Sequence, residues 1–110
     1  MYDILGNLKK GLTQLLVLKF LAESDELYGF QIINTIEESG SKAFRLTEGA
    51  LYPTLHRMEK KGLVESRKES SGGRVLRRYY SITEKGRALF LSDMKKYKAL
   101  SDDMAKLLDL

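Results

Sequence analysis

Five basic side chains, Arg67, Lys68, Arg74, Arg77 and Arg78, stand within twelve residues of this chain. Residues 67–83 set a single acid, Glu69, against them, so the segment carries +4, equal to the net charge of the whole 110-residue protein. Guanidinium and ammonium groups at this density suit a polyanion, phosphate above all, where each contact releases a condensed counterion. Apolar and aromatic residues interleave the charges in Val75-Leu76-Arg77-Arg78-Tyr79-Tyr80-Ser81-Ile82. A period of two puts Leu76, Arg78, Tyr80 and Ile82 on one side of a strand and Val75, Arg77, Tyr79 and Ser81 on the other. Tyr80 and Ile82 are the expected inward pair, and Arg77 and Arg78 fall on opposite faces. A first strand, Leu63 to Glu69, joins this one through Ser70-Ser71-Gly72-Gly73, which predicts a basic hairpin. That turn lacks the Lys-Ser/Thr and following helix of a nucleotide phosphate loop, so it reads as a hairpin tip.

The segment before the hairpin reads as a helix from Thr47, a good N-cap with Glu48 near the positive end of the helix dipole, to a glycine cap at Gly62. Leu51, Leu55 and Met58 gather on one face. The opposite face carries Gly49, Pro53, His56 and Lys60, with Ala50 and Arg57 on its flank. Its first half is small, which lets a helix backbone approach a groove floor. Its second half offers Arg57 for bidentate pairing with guanine, and Lys60 and Lys61 for phosphate. Pro53 removes one backbone hydrogen bond, which predicts a bend. A helix followed by a basic hairpin is how a winged helix grips duplex DNA. The expected contacts are Gly49, Ala50, Pro53, His56, Arg57 and Lys60 from the helix, and Lys68, Arg74, Arg77 and Arg78 from the wing.

Three further helices must position these two elements. Leu8, Leu12, Leu15, Leu16 and Phe20 mark a first helix, Leu8 to Glu23, with enough apolar neighbours to be covered on more than one side. Phe30, Ile33 and Ile36 mark a second, Tyr28 to Ser39, ended by Gly40 as a left-handed cap. Thr83 caps the last, whose stripe runs from Phe90 through Met94, Tyr97, Leu100, Met104, Leu107 and Leu108. That helix is about 35–40 Å long at 1.5 Å per residue, too long for one small domain to cover. A second copy is the natural partner, with Leu8 and Leu12 of the first helix joining Met94, Tyr97, Leu100, Met104, Leu107 and Leu108 as the dimerisation set. Ser101 on the stripe departs from a strict coiled coil. The fold class is therefore mainly α with a small β-hairpin. Residues 1–85 form a winged helix-turn-helix domain and residues 86–110 a long C-terminal dimerisation helix, together one structural unit.

Other classes fit poorly. The chain has no cysteine, which removes disulfides and thiolate metal sites, and its one histidine, His56, has no acidic partner placed by spacing. Asp102 and Asp103 are adjacent and diverge on a helix, so neither catalysis nor a metal or cofactor is expected. The most apolar run, Leu15 to Leu21, is interrupted by Lys19 and falls far short of the roughly 20 residues of a membrane span. The start, MYDILGNLKK, lacks the order of a signal peptide, which points to the cytoplasm. No aromatic stacking platform for RNA is evident. The alternative is a winged helix serving as an architectural or protein-interaction module without sequence-specific DNA reading, since phosphate contacts carry no sequence information.

Leu27-Tyr28-Gly29, Gly49 through Glu59 (GALYPTLHRME), Gly62-Leu63-Val64 and Arg78 through Gly86 (RYYSITEKG) resemble the PadR family of bacterial transcriptional regulators. The likeness extends over about residues 8 to 90, and the single terminal helix is similar to the smaller subfamily. The resemblance implies a dimeric winged-helix repressor on a palindromic operator, with first and last helices building the dimer and a small aromatic or hydrophobic effector releasing the DNA. Some of those relatives hold flat drugs between tryptophans of the last helix. This chain has no tryptophan; Phe90 and Tyr97 are the aromatic residues at that place, read either as a substitute stacking surface or, more simply, as interface packing.

Overall fold

Asp3 accepts a hydrogen bond from the Gly6 amide at 3.0 Å. This cap starts the first helix, α1 (Ile4–Ala22), a turn earlier than its apolar spacing predicts. The computed structural model describes residues 2–40, 44–71 and 75–110. The elements that follow are β1 (Leu27–Tyr28), α2 (Gly29–Glu38), α3 (Glu48–Lys60), β2 (Val64–Ser71), β3 (Val75–Ile82) and α4 (Glu84–Leu107). The three strands form one antiparallel sheet in the order β1-β3-β2. Gly72, Gly73 and Arg74, part of the expected hairpin tip and wing set, lie outside the described residues.

The core joins one face of each of the first three helices to the base of the hairpin. Val17, Leu18 and Leu21 of α1 meet Ile32, Ile33 and Ile36 of α2, Leu51, Leu55 and Met58 of α3, and Leu63, Val64 and Tyr80. The inward assignments for α3 and for Tyr80 hold, and Ile82 packs on the core from its edge. Helix α1 is covered on more than one side: Thr13, Val17, Leu18 and Leu21 are buried, and Leu16 and Phe20 of the expected stripe pack partly buried against the core. Leu12 and Leu15 instead line a groove toward α4, and Leu8 is exposed. In α2 the residue beside Ile33 and Ile36 in the core is Ile32, while Phe30 is 52% exposed. Strand β1 has no counterpart in the sequence pattern. Its two residues are too few to show a period, and only their pairing with Tyr80 and Tyr79 makes them a strand.

Helix α3 runs through Pro53 as one element, and Thr47 caps it through the Ala50 amide at 3.2 Å. Gly62 then takes φ +76°, the left-handed conformation that reverses the chain into β2, and Gly40 does the same after α2 at φ +94°. The end of α3 is bound directly to the start of α4. The Thr83 hydroxyl lies 2.6 Å from the Gly62 carbonyl oxygen and 3.0 Å from that of Leu63. It also accepts from the Gly86 amide at 3.0 Å, capping α4. Lys85 Nζ donates to the Lys61 carbonyl at 2.7 Å. Gly86 is buried here, and a Cβ at this position would overlap the Leu63 carbonyl oxygen. Beyond this joint α4 packs on α1 and then runs on largely uncovered, giving the molecule extents of 56 × 33 × 24 Å.

Because the obstacle at Gly86 is backbone, no side-chain rotation can relieve it. Gly86→Ala is expected to lower stability by about 1–3 kcal/mol, read as a shifted denaturation midpoint at unchanged slope. An unshifted midpoint would show that the joint yields.

Candidate nucleic-acid interface

The register of the wing sorts its charges by face. Residues directly opposite across β2 and β3 share a face. On one face Lys68 stands opposite Arg78, Ser66 opposite Tyr80 and Val64 opposite Ile82. On the other, Glu69 stands opposite Arg77 and Arg67 opposite Tyr79. The first face adjoins α3: Ser66 donates to Glu59 Oε2 at 2.7 Å and accepts from Arg78 Nη1 at 2.8 Å. This chain of three polar groups fixes the wing base to the helix.

On the second face Arg67 is compensated. Arg67 Nε donates to Glu26 Oε2 at 2.9 Å, Arg67 Nη2 pairs with Glu26 Oε1, and Arg67 Nη1 lies 3.1 Å from Glu69. The Arg67 guanidinium also stacks 4.9 Å from the Tyr79 ring centroid, and Tyr79 meets Tyr28 edge-on at 5.5 Å. The hydrogen bond from Arg67 holds the Glu26 carboxyl below its usual range, and the bond to Glu26 raises Arg67 in turn. Arg67 is thus occupied in holding the wing to the loop before β1. The first face keeps Lys68 beside Arg78, two like charges directly opposed, an arrangement that by itself disfavours folding.

The residues expected on the DNA side of α3 (Gly49, Ala50, Pro53, His56, Arg57 and Lys60) are all exposed, as are Lys68 and Arg77, while Arg78 is half-buried. One terminal nitrogen of Arg57 donates to the Thr54 hydroxyl at 3.3 Å, so the side chain leans back along its own helix. Tyr52 lies on the same helix, between its apolar and polar faces. Its ring rests on the start of α2, where a Cβ at Gly29 would come within 2.6 Å of its hydroxyl oxygen. Burial pushes the Tyr52 hydroxyl pKa up, and Glu48 adds to the effect. Among the described residues no cluster of acids or histidines could hold a metal ion, and no helix is long and apolar enough to cross a membrane.

A pair of packed helices, α2 and α3, followed by a basic two-stranded wing and a long terminal helix is a winged helix-turn-helix of the kind transcription factors use. Residues 17–92 match the transcriptional regulator PadR-like family, and the chain belongs to that family. It is 34% identical over 83 residues to a transcriptional regulator of Mycobacterium tuberculosis, covering 76% of this chain and 74% of that protein. The crystal structure of a PadR family transcriptional regulator from Eggerthella lenta superposes with a TM-score of 0.82 at 28% identity, over 96% of this chain and 88% of that one. A PadR-like regulator from Bacillus cereus gives 0.73 at 29% identity, over 90% and 93%. The protein is a transcriptional regulator and not an enzyme.

The ion pair at the wing base has a definite pH dependence. A carboxylate with a depressed folded-state pKa adds stability at higher pH that is lost as pH falls through that value. Wild type should therefore melt above Glu26→Gln at neutral pH, and the gap should close well below about pH 4.3, the ordinary glutamate value. Equal melting temperatures at neutral pH would show that the pair does not hold the wing.

Proposed function

We propose that the chain acts in the cytoplasm as a homodimeric, sequence-specific repressor that releases its operator when a small aromatic or hydrophobic effector binds. The observation that carries the DNA reading is the pair Lys68 and Arg78, neither of them in an ion pair among the described residues, on the wing face joined to α3 through Ser66 and Glu59. Folding gains nothing from like charges set opposite each other, whereas a phosphate strand neutralises both. In this reading α3 enters the major groove. Gly49, Ala50 and Pro53 let its backbone approach, Arg57 swings from Thr54 to a guanine edge, and His56 and Lys60 meet base edge or phosphate. Lys68, Arg74, Arg77 and Arg78 hold the backbone.

The dimer reading rests on α4. Its apolar positions Met94, Leu100, Met104, Leu107 and Leu108 remain exposed, Leu107 at 78%, as do Ile4, Leu5 and Leu8 of α1. A helix of about 36 Å carrying such a stripe matches a partner carrying the same stripe. Two recognition helices about 34 Å apart would then read a palindrome. The groove between α1 and α4, about 320 Å³ and lined by Leu12, Leu15, Leu89, Tyr97 and Leu100 with Asp93 and Lys96, is the effector seat this arrangement offers. Tyr97 is its aromatic surface, since Phe90 packs against the core.

Fluorescence anisotropy with the duplex upstream of the protein's own gene, against a scrambled duplex, tests the reading. Specific binding should exceed scrambled by roughly a thousandfold or more, and Arg57→Ala should cost about 1–3 kcal/mol of that discrimination. Arg77→Ala with Arg78→Ala should weaken both duplexes and flatten the salt slope by about two contacts. Equal wild-type affinity for both duplexes would favour an architectural binder instead. Truncation after Lys95 should convert a dimer to a monomer in sedimentation velocity. A truncated chain that still sediments as a dimer would overturn the role given to α4.

A further inference from the structure

Helix α3 and the wing are placed to enter neighbouring grooves, and neighbouring grooves of a duplex are divided by a single sugar–phosphate strand. Whatever lies between helix and wing must receive that strand. In this protein the space is a cleft of about 580 Å³ bounded by the starts of α2 and α3 and by β3. Strand β3 runs from Val75 to Ile82, but β1 covers its outer edge only at Tyr79 and Tyr80. The edge at Leu76, Arg77 and Arg78 is therefore open to the cleft. Leu76 is 67% exposed, and Phe30 and Tyr52 stand across from it, so the walls set apolar surface beside polar surface.

The charged groups of the cleft are two guanidiniums and one carboxylate, Glu48. Among the described residues neither Arg77 nor Arg78 is within ion-pair distance of an acid. Arg77 is held instead over the Tyr28 ring, 4.7 Å from its centroid, and Arg78 by the Ser66 hydroxyl. Both are oriented by neutral partners, which leaves their charge unspent. A cleft that sets Phe30, Tyr52 and Leu76 beside two guanidiniums outside any ion pair among the described residues is complementary to a chain of alternating deoxyribose and phosphate.

We infer that this cleft seats the DNA strand that separates the two grooves, with Phe30, Tyr52 and Leu76 packed on deoxyribose carbons and Arg77 and Arg78 on the flanking phosphates. The inference rests on the DNA-binding reading above and adds a salt-insensitive contribution to it. Apolar contact with sugar releases no counterions and does not distinguish bases. It also accounts for an exposed phenylalanine at the start of α2, outside the core its helix otherwise joins.

Anisotropy titrations of full-length wild type, Phe30→Ala and Phe30→Tyr, on operator and scrambled duplexes across a salt series, test it. Phe30→Ala should bind both duplexes roughly tenfold more weakly, with the wild-type salt slope. Phe30→Tyr, which keeps the ring, should bind as wild type does. Thermal melts should match, since Phe30 is half exposed. Wild-type affinity in Phe30→Ala, or a loss confined to the operator, would overturn the backbone seat while leaving DNA binding intact. A tyrosine variant as weak as the alanine variant would overturn the packing account. Failure of the wild type to bind either duplex would instead remove the DNA-binding reading itself.

Discussion

The close approach of Gly86 to the Leu63 carbonyl is the constraint on which the rest of the molecule depends. It brings three segments to one point: the end of α3, the first residue leading into β2, and the first turn of α4. Thr83 serves two helices there, capping α4 with its oxygen and binding carbonyls at the end of α3 with its proton. Lys85 adds a cation to the negative end of the α3 dipole at the Lys61 carbonyl. A methyl group at residue 86 could not be accommodated without separating these segments. The direction of α4 is therefore tied to that of α3 through backbone and short side chains, which transmit displacement better than long flexible ones. Within the proposed function, an event in the α1–α4 groove would have a stiff route to the recognition helix.

Charge in the wing is divided between structure and function. One face spends Arg67 on Glu26 and Glu69, binding the wing to a loop far away in the chain. Arg67 and Glu69 are exposed and Glu26 is half-buried, so the cluster adds modest stability while it sets the position of the wing. The other face keeps Lys68 beside Arg78, with Arg78 oriented by a hydroxyl that also holds Glu59. A count of basic residues cannot distinguish these uses, because all lie in one short segment and differ only in which acids approach them in space.

Much of the architecture was legible along the chain. The caps at Thr47 and Thr83, the left-handed glycines Gly40 and Gly62 and the two long strands depend on neighbours within a few residues. The same holds for the buried faces of α3 and β3, since a period of 3.6 or 2 fixes which residues share a face. Where apolar residues crowd all sides, as in α1, the period stops discriminating. Leu12 and Leu15 are as apolar as Val17 and Leu18, and only the packing of α2 and α4 decided which pair would be buried. Phe30 misled for a related reason: it falls in phase with Ile33, yet the helix meets the core one residue round, at Ile32.

The sequence by itself determined the element order, the inward face of the recognition helix and the concentration of positive charge in one hairpin, because these follow from local periodicity and composition. Only the tertiary structure decided that Arg67 is taken by Glu26, 41 residues away, that Leu27 and Tyr28 add a third strand, and that Phe30, Tyr52 and Leu76 line one cleft with Arg77 and Arg78. Each of these depends on groups brought together by chain reversal, and spacing along a chain carries no record of which distant acid or ring will close on a given cation.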